Sequence, residues 1–375
     1  MRVGYDSTPL LGTRSGVGSY TQQILAHMAQ LYPEWCYLLY SNRPLDPLSA
    51  SLPGACHVSG YFPYSRWLWM QFKLPQIIRR SQPDLCHFTN NTAPLNHVVP
   101  YIITIHDVSL FLHSQFHPRS RLIALRWLLP TVARRAGHVL TVTEFARRDI
   151  IKTLNLPPER VSVVHEAAAT HFQPLHDRQQ QEELRGRYAL PETFILYVGT
   201  IEPRKNLHRL LKAMTLVWRE HPDCPLVLAG PVGWMMDGVL EKEMESAGDA
   251  RDNIRFLGYV PDEDLPGLYS LATIFAFPSL YEGFGLPPLE AMSCGTPVLT
   301  SQQSAMAEVC GDAACLVDPY DEEAIADGLM TLLNNPAQRE MFVWRGFERA
   351  RQFSWQRAAQ ETAAIYEKVL RPRSH

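Results

Sequence analysis

Residues 278–298 read Pro-Ser-Leu-Tyr-Glu-Gly-Phe-Gly-Leu-Pro-Pro-Leu-Glu-Ala-Met-Ser-Cys-Gly-Thr-Pro-Val, a strand end, a glycine loop, a helix and the start of the next strand. The apolar run Thr273 to Phe277 before them predicts a buried strand. Gly283 and Gly285 relieve the loop of side-chain bulk, Pro287 and Pro288 suit the opening turn of a helix, and Gly295 closes it. The free N–H groups of that helix start favour an anion such as a phosphate. Glu282 stands before the turn and Glu290 two helical turns beyond it. Carboxylates there are suited to accepting hydrogen bonds from hydroxyls, so the stretch fits a ligand carrying both phosphate and sugar. The spacing alone also fits two solvated glutamates on a helix surface.

Working outward, short apolar strands alternate with helical stretches along the whole chain. Arg2 to Tyr5, Cys36 to Tyr40, Leu85 to Phe88, Tyr101 to Ile105, His138 to Val142 and Val161 to Val164 form a first series. Phe194 to Val198, Leu226 to Ala229, Ile254 to Leu257, Thr273 to Phe277, Pro297 to Thr300 and Cys315 to Val317 form a second. Alternation of this kind predicts an α/β protein with parallel sheets, and 375 residues exceed what one core normally supports. The expected division is residues 1–172, a polar linker 173–187 with a run of three glutamines, residues 188–354, and a terminal helix over 355–375 that crosses back to the first domain.

With 46% apolar and 19% charged residues the chain has the balance of a globular protein, and no apolar run approaches the roughly 20 residues that span a bilayer. The start, Met-Arg-Val-Gly-Tyr-Asp, reads as a strand rather than a signal peptide, and seven scattered cysteines without a Cys-x-x-Cys pair fit reduced thiols. Both predict a cytoplasmic protein. The net charge of −3 is unevenly spread: residues 1–172 carry +7 and the remainder −10. A basic half suggests an anionic surface or substrate, while +7 is too modest, and too lacking in motifs, to predict nucleic-acid binding.

Glu282-Gly-Phe-Gly-Leu, Leu289-Glu-Ala-Met and Gly295-Thr-Pro-Val together resemble the signature of glycosyltransferase family 4. Its members are retaining transferases of the GT-B fold, two facing Rossmann-like domains with an interdomain cleft, that use nucleotide-activated sugars. The resemblance implies that Gly283, Phe284, Gly285 and Leu286 line the donor site, that Glu282 holds sugar hydroxyls and that Glu290 holds the ribose. Gly199-Thr-Ile-Glu-Pro-Arg-Lys-Asn-Leu follows a strand and precedes a helix. There Arg204 supplies a planar fork and Lys205 a point charge for the donor's diphosphate. Some members carry an arginine directly after the first glycine, where this chain has Thr200. Val260, after Phe256-Leu-Gly258-Tyr, is implied in the base pocket.

In the first half, Gly12-Thr-Arg-Ser-Gly16-Val-Gly18 precedes a helix. A Gly-x-Gly is often only a tight turn, but the family's loop here reaches the donor, which implies a role for Gly16, with Arg14 as a further candidate. His106 closes a strand at the sheet edge where open α/β folds bind ligands, and the resemblance implies that it positions the donor sugar. Glu144, after the N-cap candidate Thr143, is a candidate for the acceptor side, with simple capping as the alternative. Asp262-Glu-Asp264 matches a metal-binding Asp-x-Asp formally, but it follows Pro261 and opens a helix, where acidic residues cap free N–H groups. No metal and no cofactor are therefore expected.

The sequence style is similar to bacterial mannosyl- and rhamnosyltransferases of surface-polysaccharide assembly. That implies a nucleotide-diphosphate sugar, GDP-mannose first, and a saccharide acceptor, expected to be polyprenyl-diphosphate-linked. The alternatives are a dTDP-rhamnose or UDP-sugar donor, a sugar-nucleotide epimerase, a phosphorylase, or a nucleotide-sugar-binding regulator. Residues 61–80 contain Trp67, Trp69, Arg79 and Arg80, and 119–135 add further arginines. Rings and cations together suit an anionic membrane surface on the cytoplasmic face. The same aromatics would also serve as core residues of helices packed on a sheet.

Overall fold

A computed structural model describes residues 1–11, 16–45, 55–59, 62, 65–117, 119–233 and 252–371, with the backbone alone for 55–59, 119–121, 123 and 124. The chain divides into two compact units. Unit 1 comprises 1–112, 119–166 and 354–375, and unit 2 comprises 113–118 and 167–353.

Unit 1 is built on a seven-stranded sheet in the order β3-β2-β1-β4-β5-β6-β7. The strands are β1 (Arg2–Asp6), β2 (Cys36–Ser41), β3 (Ala55–Ser59), β4 (Leu85–Phe88), β5 (Tyr101–Thr104), β6 (His138–Thr141) and β7 (Val161–Val163). Every pairing is parallel. The central strands β4, β5 and β6 are buried throughout, as unbroken apolar runs such as Tyr101-Ile-Ile require when helices cover both faces. β3, missing from the sequence expectation, is an edge strand of mixed residues whose alternation is too weak to announce it.

The helix Gly16–Leu31 follows β1 and packs on the closing helix Trp355–Leu370, which belongs to unit 1. A buried hydrogen-bond chain ties the closing helix to the sheet. Tyr366 Oη meets Tyr5 Oη at 2.5 Å and His87 Nδ1 at 2.7 Å, and His87 Nε2 meets Thr104 Oγ1 at 2.7 Å. Burial holds the His87 imidazole down at about 3, neutral at any ordinary pH.

Unit 2 has a six-stranded sheet in the order β10-β9-β8-β11-β12-β13, again wholly parallel. Its strands are β8 (Ile195–Val198), β9 (Leu226–Ala229), β10 (Ile254–Gly258), β11 (Ile274–Phe277), β12 (Val298–Ser301) and β13 (Cys315–Val317). The chain leaves unit 1 after Glu166, and much of the expected linker is a helix, Arg178–Tyr188, capped by Asp177. Its Leu184 packs so closely on Gly267 that a Cβ there would lie 2.2 Å from Leu184 Cδ1.

In both sheets the winding direction reverses once, between β1 and β4 in unit 1 and between β8 and β11 in unit 2. The loops that leave the carboxyl ends of strands flanking such a reversal splay apart, and this is where open parallel sheets bind ligands.

Candidate active site

In unit 2 the two loops at the reversal are those that the sequence singled out. After β8 the chain passes Gly199 and forms a single turn over Pro203–Lys205. Asn206 sits in the left-handed region at φ 63°. Its buried Nδ2 donates to Pro278 O at 3.0 Å and Pro319 O at 2.6 Å, which staples the loop after β8 to the loop after β11. Leu280 N donates to Arg204 O at 2.9 Å, and Ser279 Oγ lies 3.1 Å from the same carbonyl.

This stapling brings Arg204, Lys205 and Glu282 together. Glu282 Oε1 accepts from Lys205 Nζ at 2.6 Å and from Ser279 Oγ at 2.7 Å, while Oε2 accepts from Arg204 Nη1 at 2.8 Å. Arg204 Nε reaches Glu202 Oε1 at 2.5 Å. Lys205 Nζ also lies 4.6 Å from the centre of the Phe277 ring. Glu202, Lys205 and Glu282 are all buried. Burial opposes ionisation of Glu282, but Arg204 and Lys205 overcome it and hold the carboxyl down at about 2. Burial, with Arg204 adding repulsion, lowers the Lys205 ammonium from its ordinary value against the pull of Glu282. At Glu202 burial wins over Arg204 and Lys205, and its carboxyl is raised. The cluster is thus two cations matched by two carboxylates, a charge-balanced arrangement that an incoming anion can re-partition.

The helix after the loop spans Leu286–Ser293, starting one residue before the expected prolines. Gly285 precedes it at φ 96°, a conformation that favours glycine, and the end of the Met306 side chain packs where a Cβ would stand. Gly283, Phe284 and Gly285 are buried, and Phe284 packs edge-on to Phe353. Glu290 accepts from the buried Tyr269 hydroxyl at 2.9 Å. Val260 is buried after β10.

In unit 1, His106 follows β5. Its Nδ1 faces Glu166 Oε1 at 3.1 Å, its Nε2 faces Thr89 O at 3.0 Å, and its backbone N donates to Asn91 Oδ1 at 3.2 Å. The ring meets Tyr20 edge-on at 4.8 Å. Gly16 begins its helix with open space where a Cβ would stand, and Arg14 lies outside the described residues. Thr143 caps the helix Glu144–Leu154 by accepting from Ala146 N at 3.0 Å, and exposed Glu144 pairs with Arg147 at 3.3 Å.

Two expectations meet direct structural answers. Trp69 is fully buried among Leu74, Ile78 and Phe88, so as a surface residue it is corrected: it packs the core because it lies on the inward face of its helical segment. Trp67 and Phe72 are exposed, as are Arg79 and Arg80, and Trp127, which the sequence did not single out, is 82% exposed. Asp264, half of the formal Asp-x-Asp, is taken up by Arg187 Nη1 at 2.7 and 2.8 Å and by Tyr188 Oη at 2.6 Å. Sequence reasoning also missed Glu166, Glu202 and Asn206 as neighbours of the named residues. The last two stand inside the quoted Gly199 to Leu207 segment, whereas Glu166 has no local signal.

Comparison with known proteins adds independent findings. The family profile described as Glycosyltransferase Family 4 matches residues 14–171, and that described as Glycosyl transferases group 1 matches 180–349. O-antigen chain mannosyltransferase B of Escherichia coli is 40% identical over 266 residues, 71% of this chain and 69% of that protein. The serotype-specific mannosyltransferase WbdA of Escherichia coli is 33% identical over 60% of this chain, a match that spans only 28% of WbdA. Among solved structures, sucrose-phosphate synthase from Thermosynechococcus elongatus superposes with a TM-score of 0.78 at 20% identity and covers 98% of both chains, a likeness of fold.

Proposed function

The chain belongs to glycosyltransferase family 4, with the GT-B fold, and from that premise we propose that it transfers mannose from GDP-mannose, with retention, to a hydroxyl of a lipid-linked saccharide. That it is a glycosyltransferase follows from the family, whereas the donor and acceptor are the proposal. The observation that carries it is the Arg204–Lys205–Glu282 cluster at the reversal point of the unit 2 sheet.

A nucleoside diphosphate brings negative charge that can replace Glu282 as the partner of Arg204 and Lys205. In the proposed complex the diphosphate takes Arg204 and Lys205 as partners and Glu282 turns to the sugar hydroxyls. Glu290, steadied by Tyr269, accepts from the ribose. As the bond from the anomeric carbon to the leaving oxygen breaks, Arg204, Lys205 and the N–H groups opening the Leu286–Ser293 helix stabilise the growing charge. The acceptor oxygen bonds to the anomeric carbon on the face just vacated, and its proton passes to the leaving phosphate. Gly16 and, by its charge and ring face rather than by a ring N–H bond, His106 are assigned to positioning the donor, and Val260 to the base pocket. No metal is assigned a role, since the diphosphate charge has protein partners.

Exposed Trp67, Phe72 and Trp127, with Arg79, Arg80 and Arg126 on the same unit, support peripheral docking on an anionic leaflet, where a polyprenyl-diphosphate-linked acceptor would be presented. Among the described residues no helix is long and apolar enough to cross a membrane. The test is turnover of a donor panel, GDP-mannose, dTDP-rhamnose, UDP-glucose and UDP-galactose, with a lipid-linked saccharide. GDP-mannose should give product at least tenfold faster than the others, and a preference for a uridine or thymidine donor would replace the mannosyl assignment.

A further inference from the structure

Both ring nitrogens of His106 face oxygens, one a backbone carbonyl and the other a buried carboxyl. Thr89 O is a backbone carbonyl, so Nε2 must carry a proton to bond it at 3.0 Å. Opposite Nδ1, at 3.1 Å, stands the Glu166 carboxyl, and one proton is shared there between imidazole and carboxylate. The Glu166 bond and charge favour that proton on the ring. Glu166 is buried, 5% exposed at its side chain, and among the described residues its ion-pair partner is His106. A buried carboxylate needs such a counter-charge.

We infer that Glu166 is a positioning residue that keeps His106 as an imidazolium with both N–H groups turned into the protein, so that His106 does not accept the acceptor's proton.

The remaining titratable groups facing the ring agree. His87, from β4, is held neutral by burial and adds no competing charge at neutral pH. Asp107, next in the chain, engages Ser109 N at 2.8 Å and Ser109 Oγ at 2.6 Å and contributes favourable charge. Tyr20, from the Gly16–Leu31 helix, offers its ring at 4.8 Å, while its hydroxyl bonds Thr104 at 3.1 Å. Burial by itself would lower the His106 value, but the Glu166 bond and charge, Thr89 O and Asp107 together outweigh it and raise it above 6.5. Glu166 is also the last residue of unit 1 before the chain enters unit 2, so the pair fixes the start of that connection to the carboxyl end of β5.

The consequence for chemistry rests on the glycosyl-transfer assignment above: with His106 unable to act as base, the leaving phosphate is left as the proton acceptor. The protonation state itself can be read without turnover. In the full chain labelled with ¹⁵N-histidine, and with the His106 signals assigned by their loss in His106→Gln, both ring nitrogens should be protonated at pH 7. Their titration midpoint should accordingly lie above 7 and fall by at least one pH unit in Glu166→Gln. A neutral His106 ring at pH 7, or a midpoint unmoved by Glu166→Gln, overturns the inference whatever the enzyme's substrate. In kinetics the wild type should hold its kcat to higher pH than Glu166→Gln does. Glu166→Gln should lose kcat as pH rises through the lowered midpoint, with GDP binding unchanged, and Glu166→Asp should restore the wild-type profile. A uniform loss with the wild-type pH profile would mean a merely structural role. Should the substitution prevent folding, the wild-type nitrogen signals alone decide.

Discussion

Replacing Glu282 by Gln removes the charge around which the unit 2 cluster is balanced while keeping the side chain's shape. In the native cluster the carboxyl is drawn from an ordinary 4.5 to about 2 by Arg204 and Lys205. Removing one member of a buried, hydrogen-bonded ion pair costs about 3 kcal/mol or more, because the cations left behind lose their partner. Because the folded value is depressed, the stabilisation from ionised Glu282 is present above pH 4.5 and is lost as pH falls through about 2. Loss of about 3 kcal/mol from a unit of this size should lower its melting temperature by roughly 6 to 12 °C. The same substitution leaves two cations with one carboxylate, Glu202, so GDP should bind as tightly as before or more tightly. Sugar transfer should nevertheless fall about tenfold to a hundredfold, the worth of one charge-assisted hydrogen bond of roughly 1.5 to 3 kcal/mol. Calorimetric titration with GDP at a temperature well below the melt, paired with turnover of GDP-mannose, separates the effects. Full turnover would refute the sugar-clamp assignment, and GDP binding weakened tenfold or more would refute the charge balance.

Gly285→Ala, which forces a Cβ against Met306 at φ 96°, should cost about 1 to 3 kcal/mol and weaken donor binding, read by thermal melting and donor titration. Activity should survive EDTA, because Asp264 is occupied by Arg187 and Tyr188; loss on chelation with rescue by magnesium or manganese would return Asp262 and Asp264 to the site. Vesicle sedimentation should require anionic lipid, decline with salt and weaken in Arg79→Glu/Arg80→Glu and in Trp127→Ala, whereas equal binding to neutral vesicles would point to a soluble acceptor.

The strands of both sheets stood out in the sequence because buried parallel strands are continuous apolar runs, as in Leu226-Val-Leu-Ala. β3 escaped because an edge strand is paired on one side only, by β2, and Ala55-Cys-His-Val-Ser has no apolar run. The segments of the candidate site were equally visible, since Glu282-Gly-Phe-Gly and Pro203-Arg-Lys-Asn combine glycine or proline with charge in loops that follow strands. Their mutual contact was not visible: that Glu282 bonds both Arg204 and Lys205 depends on β8 and β11 being sheet neighbours, a property of topology. Glu166 was hidden for the same reason, 60 residues from His106 in sequence and 3.1 Å from it in space. Trp69 and Trp67 carry identical side chains two positions apart, and only the local helical phase sends the first into the core and leaves the second exposed.

Proton NMR of the product formed from GDP-α-mannose and a lipid-linked saccharide, with EDTA present, tests the central claim most directly. Retaining mannosyl transfer gives a new α-mannosidic anomeric signal, the donor's configuration kept. A β-linked product, or release of free mannose alone while another nucleotide sugar is transferred, would contradict it.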